Sequence, residues 1–103
     1  ARIAFTETIY NSAGVTVYYS NLGINVIRAD GSSLFNTSWS GDLSIGPGCY
    51  GPTDSCGGAC NDGVGVPSGV YVLELSICYS AFDACTSGVG KWQTLDVVEF
   101  TAE

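Results

Sequence analysis

Between residues 70 and 79 the apolar side chains Tyr71, Leu73, Leu75, Ile77 and Tyr79 alternate with Val72, Glu74, Ser76 and Cys78. A period of two sustained over this length fits a β-strand with one buried face, because successive strand side chains point to opposite sides. Placing Glu74 and Ser76 outside makes the Tyr/Leu/Ile set core. It also turns Cys78 outward, where it would staple the loop that ends at Cys85. No segment of the chain sustains a helical period.

The same reading extends along the chain. Residues 3–10 form a strand with Ile3, Phe5 and Ile9 nearly alternating with polar positions. Asn11-Ser12-Ala13-Gly14 turns into a second strand over 14–20, with Val15, Val17 and Tyr19 on one face. Leu22 to Ala29 is a third, with Ile24 and Val26 facing one way. Asp30-Gly31 then reads as a two-residue type I′ turn, and Leu34-Phe35 begins a return strand towards Trp39. From Ser40 to Pro67 the pattern dissolves into Gly, Pro, Ser, Asp and three cysteines, a long Cys/Gly-rich loop that disulfides would order. The last strand runs from Lys91 to Thr101 with Trp92, Leu95, Val97, Val98 and Phe100. The expected fold is all-β: one immunoglobulin-like sandwich of six or seven antiparallel strands over residues 1–103, with a long disulfide-tied loop. A jelly roll or small barrel is the architectural alternative. Trp39 and Tyr71 are expected in its core.

With 103 residues there is room for one core. The chain is 46% hydrophobic and only 13% charged, with a mean hydropathy of +0.25. Much of that surface must be buried or covered by neighbours. No apolar run approaches the roughly 18 residues of a membrane helix. The net charge of −7 sets ten acids against Arg2, Arg28 and Lys91, which excludes a phosphate-backbone partner and so nucleic acid. The chain begins at Ala1 and contains no Met, from which a mature piece of a longer precursor is expected.

Five cysteines point to an oxidising, extracellular or cell-surface location. A metal knuckle at Cys56 and Cys60 is disfavoured because the chain has no His to complete a zinc site. The preferred pairing is Cys78–Cys85 plus one bridge among Cys49, Cys56 and Cys60, which leaves one thiol over.

Ile24-Asn25-Val26-Ile27-Arg28-Ala29-Asp30-Gly31, followed by Leu34-Phe35 and Trp39-Ser40-Gly41, carries a family resemblance. The later run Asn61-Asp62-Gly63-Val64-Gly65-Val66-Pro67-Ser68-Gly69-Val70-Tyr71 extends it. Together they resemble the Ig-like domain of flagellar hook-capping proteins and the gliding-motility-associated C-terminal domain of type IX secretion substrates. The likeness spans residues 23–101 and is most specific at Pro67–Tyr71. Ser40 replaces the usual Asp, some twenty Cys- and Gly-rich residues are inserted, and the basic ending of the sorting version is missing. The resemblance implies an Ig-like sandwich with an extracellular, non-enzymatic role in a prokaryote, and no catalytic residue.

The residues themselves agree on catalysis. Without His, neither a Ser-His-Asp nor a Cys-His arrangement can be built. Loop acids Asp42, Asp54, Asp62 and Asp83 read as solvated, and Asp54 with Asn61-Asp62 matches no EF-hand spacing, so no metal or cofactor is expected. Lys91 reads as an ordinary surface lysine, and Asn36-Thr37-Ser38 as a formal sequon without a role in a prokaryote. Tyr10, Tyr18, Tyr50 and Phe82 fall on polar faces or in loops, where aromatics are typical of interfaces.

The leading expectation is a structural subunit of an extracellular filament or surface assembly, a homo-oligomer or polymer held by β-strand addition and apolar packing. Its interface candidates are Ile3, Phe5, Ile9, Tyr10 and Tyr18, with residues 1–22 as a strand shared between subunits. One alternative is an accessory or sorting domain. Another is an adhesive module that binds a glycan on Trp39, Tyr50 and Trp92.

Overall fold

The computed structural model describes residues 2–51 and 60–103, with backbone alone at 40–43, 50–51 and 60–61. The described elements run β1 (Arg2–Glu7), β2 (Ile9–Tyr10), β3 (Val17–Arg28), β4 (Ser33–Ile45), β5 (Tyr50–Gly51), β6 (Cys60–Gly65), β7 (Gly69–Cys78), α1 (Phe82–Ser87) and β8 (Trp92–Ala102).

The main sheet is antiparallel in the order β4-β3-β7-β8. Its register sets Leu22 against Ile77, Ile24 against Leu75 and Val26 against Leu73, so the alternating apolar sets of β3 and β7 share one face. All six are buried, with Leu22 and Val26 at 0% exposure. Facing them is a narrower ribbon in which β1 pairs with β6, and β2 with β5. Ile3, Phe5, Ile9 and Val64 from this ribbon pack on the core, and Val66 just beyond it belongs to the core itself. Residues 2–10 are thus one edge-to-edge partner for two separate segments.

Two devices fix this arrangement. Asn11 is buried, yet every polar group of its side chain is used. Its Nδ2 donates to the carbonyls of Val15 and Ile45, both at 2.8 Å, and its Oδ1 accepts from the Ala13 N–H at 2.9 Å. This ties the segment leaving β2 to the end of β4, and a satisfied buried amide specifies one path for the chain. Tyr71, near the start of β7, is also buried, and its hydroxyl donates to the Pro67 carbonyl at 2.7 Å. Its ring stacks on Phe100 with centroids 5.8 Å apart.

Several expectations are corrected. The strands at 3–10 and 14–20 do not form a hairpin. Asn11 carries the chain from ribbon to sheet, and Val15 is left exposed. The β3–β4 hairpin exists, but its loop is Ala29-Asp30-Gly31, not a two-residue turn. The Gly31 N–H donates to Arg28 O, that of Arg28 donates to Ser32 O, and Gly31 takes φ 90°. A turn closed by a left-handed glycine is a common three-residue solution. The stretch 40–67 is not one loop: β4 continues to Ile45, and β5 and β6 fall inside it. Those segments hold by backbone pairing, which composition does not report. Tyr79, beyond the end of β7, is exposed. The one helix among the described residues, α1, was not anticipated; the Cys78–Cys85 bridge anchors it to the sheet.

Trp39 is half-buried and packs against the core from β4. Residues 2–10 supply half of the ribbon that faces the main sheet.

Candidate functional site

A two-stranded ribbon cannot cover a four-stranded sheet. The uncovered strip lies between β1 and β8, where a groove of about 410 Å³ is lined by residues 3–7 of β1 together with Leu73, Val98 and Phe100. Ile3 and Phe5 form one wall, and Phe5 is held in place against Phe35 at 6.5 Å between ring centroids. Val98, opposite Leu73 in the β7–β8 register, is 43% exposed although it faces the core side of the sheet. Leu95, at the bulge in β8, is exposed as well.

Among the described residues β1 pairs with β6 alone, so no described strand lies along its other edge, the one on the groove. An open edge above an apolar floor is a template for a further strand. The backbone groups would supply hydrogen bonds, and the floor would receive alternate side chains.

A carboxyl pair bridges the groove at its Glu7 end. Glu7 of β1 lies against Asp96 of β8. Partial burial, then a hydrogen bond to Asp96 and the repulsion of its charge, hold the Glu7 carboxyl above its ordinary value of 4.5. Below that ordinary value Glu7 is protonated whether the chain is folded or not, and costs nothing. As pH rises through the raised folded value, ionising Glu7 costs stability, so the penalty is present at neutral pH. Glu7→Gln is therefore expected to raise Tm by a few degrees at pH 7 and to leave it unchanged at pH 3. Equal melts at pH 7 would show that ionised Glu7 carries no penalty in the folded chain.

The anticipated site residues divide among three places. Ile3, Phe5 and Ile9 are half-buried in the ribbon, with Ile3 and Phe5 lining the groove. Tyr10 and Tyr18 are exposed, Tyr18 at 74%. Cys78 and Cys85 are bonded at 2.07 Å, and the buried Cys49 is disulfide-bonded too. Cys56 and Asp54 lie outside the described residues, as do the side chains of Cys60, Asp42, Tyr50 and Asn61. Asp62 is exposed and accepts from the Gly63 N–H, Asp83 sits in the first turn of α1, and Lys91 is exposed. The two tryptophans separate: Trp39 packs on the core, whereas Trp92 lies on the opposite face of the sheet. No helix among the described residues is long and apolar enough to cross a membrane. Compared with known proteins, the chain matches no family model, no curated sequence and no solved structure.

The groove escaped sequence reasoning because it depends on how many strands lie above β8, and no local pattern states that number. The only signal was the apolar pair Val97-Val98 beside Leu95, too many for one buried face of a single strand.

Proposed function

We propose that this chain is a non-enzymatic structural subunit of an extracellular prokaryotic assembly, and that neighbouring copies join by adding a strand in the groove between β1 and β8. The observation that carries this reading is the β1 edge that no described strand pairs, standing over the exposed Val98. An incoming strand would pair with β1 and bury that strip, widening the second layer from two strands to three. The Tyr71 hydroxyl bonded back to Pro67 supports an immunoglobulin-like sandwich, in which a tyrosine at this corner bonds to backbone a few residues upstream. Two bonded cysteine sites support an oxidising compartment. The net charge of −7 opposes random association, so assembly must come from directional contacts of this kind.

Light scattering and electron microscopy over a concentration series test it. The wild-type chain is expected to form oligomers or filaments. Val98→Lys is expected to keep it monomeric without loss of fold, because the new charge would be buried unpaired beneath the added strand. A wild-type chain that stays monomeric at high concentration overturns the proposal. So do assemblies unaffected by Val98→Lys.

A further inference from the structure

The face of the main sheet turned away from the ribbon carries a second depression, about 450 Å³ in volume. Its floor is made by residues that alternate with the core set of β3: Asn21, Gly23 and Asn25. Asn36 of β4 and Glu74 of β7 flank them, α1 contributes Cys85 and Thr86, and Trp92 closes the β8 side. The volume falls in the range of small-molecule sites.

Three observations separate this depression from an ordinary polar sheet face. Trp92 leans onto the sheet over Gly23. A Cβ built on that glycine would stand 3.4 Å from Cζ3 and 3.7 Å from Cη2 of the indole, so the ring rests where a side chain would otherwise be. Trp92 nevertheless keeps 40% of its surface in solvent. Second, Asn21 is only 5% exposed, and its Oδ1 has no hydrogen-bond partner. Asn11, the other buried amide, is fully satisfied, so a lone acceptor at Asn21 is an exception that a donor from a ligand would remove. Third, the polar side chains of the lining are amides, hydroxyls and a single carboxylate, with no Lys or Arg.

From these we infer that the depression binds a neutral saccharide. Sugar hydroxyls donate and accept at once, as the amides of Asn25 and Asn36 do, and they supply the donor that Asn21 Oδ1 lacks. The apolar face of a pyranose stacks on an exposed indole. Asn25 already accepts at Oδ1 from the Ser33 hydroxyl, which orients its amide and leaves Nδ2 to donate. Glu74 and the acidic chain as a whole repel phosphates and uronates, and the shallow polar floor offers no burial to a lipid tail. The depression and the strand-addition groove lie on opposite faces of one sheet, so neither reading depends on the other.

The test is an NMR titration of the isotope-labelled full chain with cellohexaose, chitohexaose and mannohexaose, with polygalacturonate as the charged probe. At least one neutral oligosaccharide is expected to shift the Trp92 indole and the Asn21, Asn25 and Asn36 amide signals saturably. Trp92→Ala should weaken that binding about tenfold or more, while Trp39→Phe leaves it unchanged. Should Trp92→Ala not fold, Asn36→Ala, at an exposed edge-strand position, is expected to weaken binding in the same direction. The proposal is overturned if no neutral probe shifts these signals, if only polygalacturonate does, or if the Trp92 and Asn36 variants, once folded, bind as the wild type does.

Discussion

Removing residues 1–10 is expected to unfold the domain or leave it barely stable. Ile3, Phe5 and Ile9 go with that segment, and each packs half-buried on the core. Fully burying a large apolar side chain contributes about 1.5–3 kcal/mol, so three half-buried ones contribute on the order of 2–4 kcal/mol. The deletion also leaves β6 and β5 without partners and opens core residues of β3 and β7 to water, which roughly doubles the loss. Domains of this size hold about 5–15 kcal/mol in total. Urea titration followed by circular dichroism measures the effect, and a synthetic peptide of residues 2–10 supplied in trans is expected to restore part of it. A truncated chain that melts as the intact one does would show that the ribbon lies outside the cooperative unit.

Reduction is the second large effect. The Cys78–Cys85 bridge closes a short loop, with a sequence separation of 7. The chain-entropy relation gives about 2.5 kcal/mol for such a loop. Cys49 is bonded as well, so a reductant removes more than one constraint. With urea slopes of about 1–3 kcal/mol per molar, losing the Cys78–Cys85 bridge alone is expected to lower the midpoint by roughly 1–2 M. Cys78→Ser with Cys85→Ser isolates that contribution and should release α1, whose anchor to the sheet this bridge is. A midpoint unmoved after thiol titration confirms full reduction would mean that packing alone fixes the helix.

How much of this was legible depends on what carried each element. β7 could be read because Tyr71, Leu73, Leu75 and Ile77 each bury a large side chain, and burial on one face leaves a period of two in the sequence. The β3–β4 hairpin was legible for the same reason, while its loop length was not, since Asp30-Gly31 suits both a two-residue turn and the end of a three-residue one. β6 was hidden. Asn61-Asp62-Gly63 has the composition of a turn, and only its backbone pairing with β1 makes it a strand. α1 was hidden too: six residues give no periodicity, and a covalent bond does the anchoring. At the sites, the exposure of Tyr10, Tyr18 and Phe82 followed from alternation. The burial of Asn21 did not, because it arises where the outer face of β3 meets the Cys78–Cys85 bridge and α1.

The register of the ribbon has a bearing on order in time. Arg2 sits opposite Gly65 and Tyr10 opposite Tyr50, whereas β3 finds β4 across a three-residue loop. When such a chain threads out of a ribosome or a secretion channel amino end first, its opening apolar strand emerges with nothing to lie against. It must wait until residues 50–65 have followed. Local hairpins close fast and distant pairings slowly, so the sheet is ready before its cover arrives. During that interval Ile3, Phe5 and Ile9 are open to any strand edge within reach, and the nearest is that of another newly emerging copy.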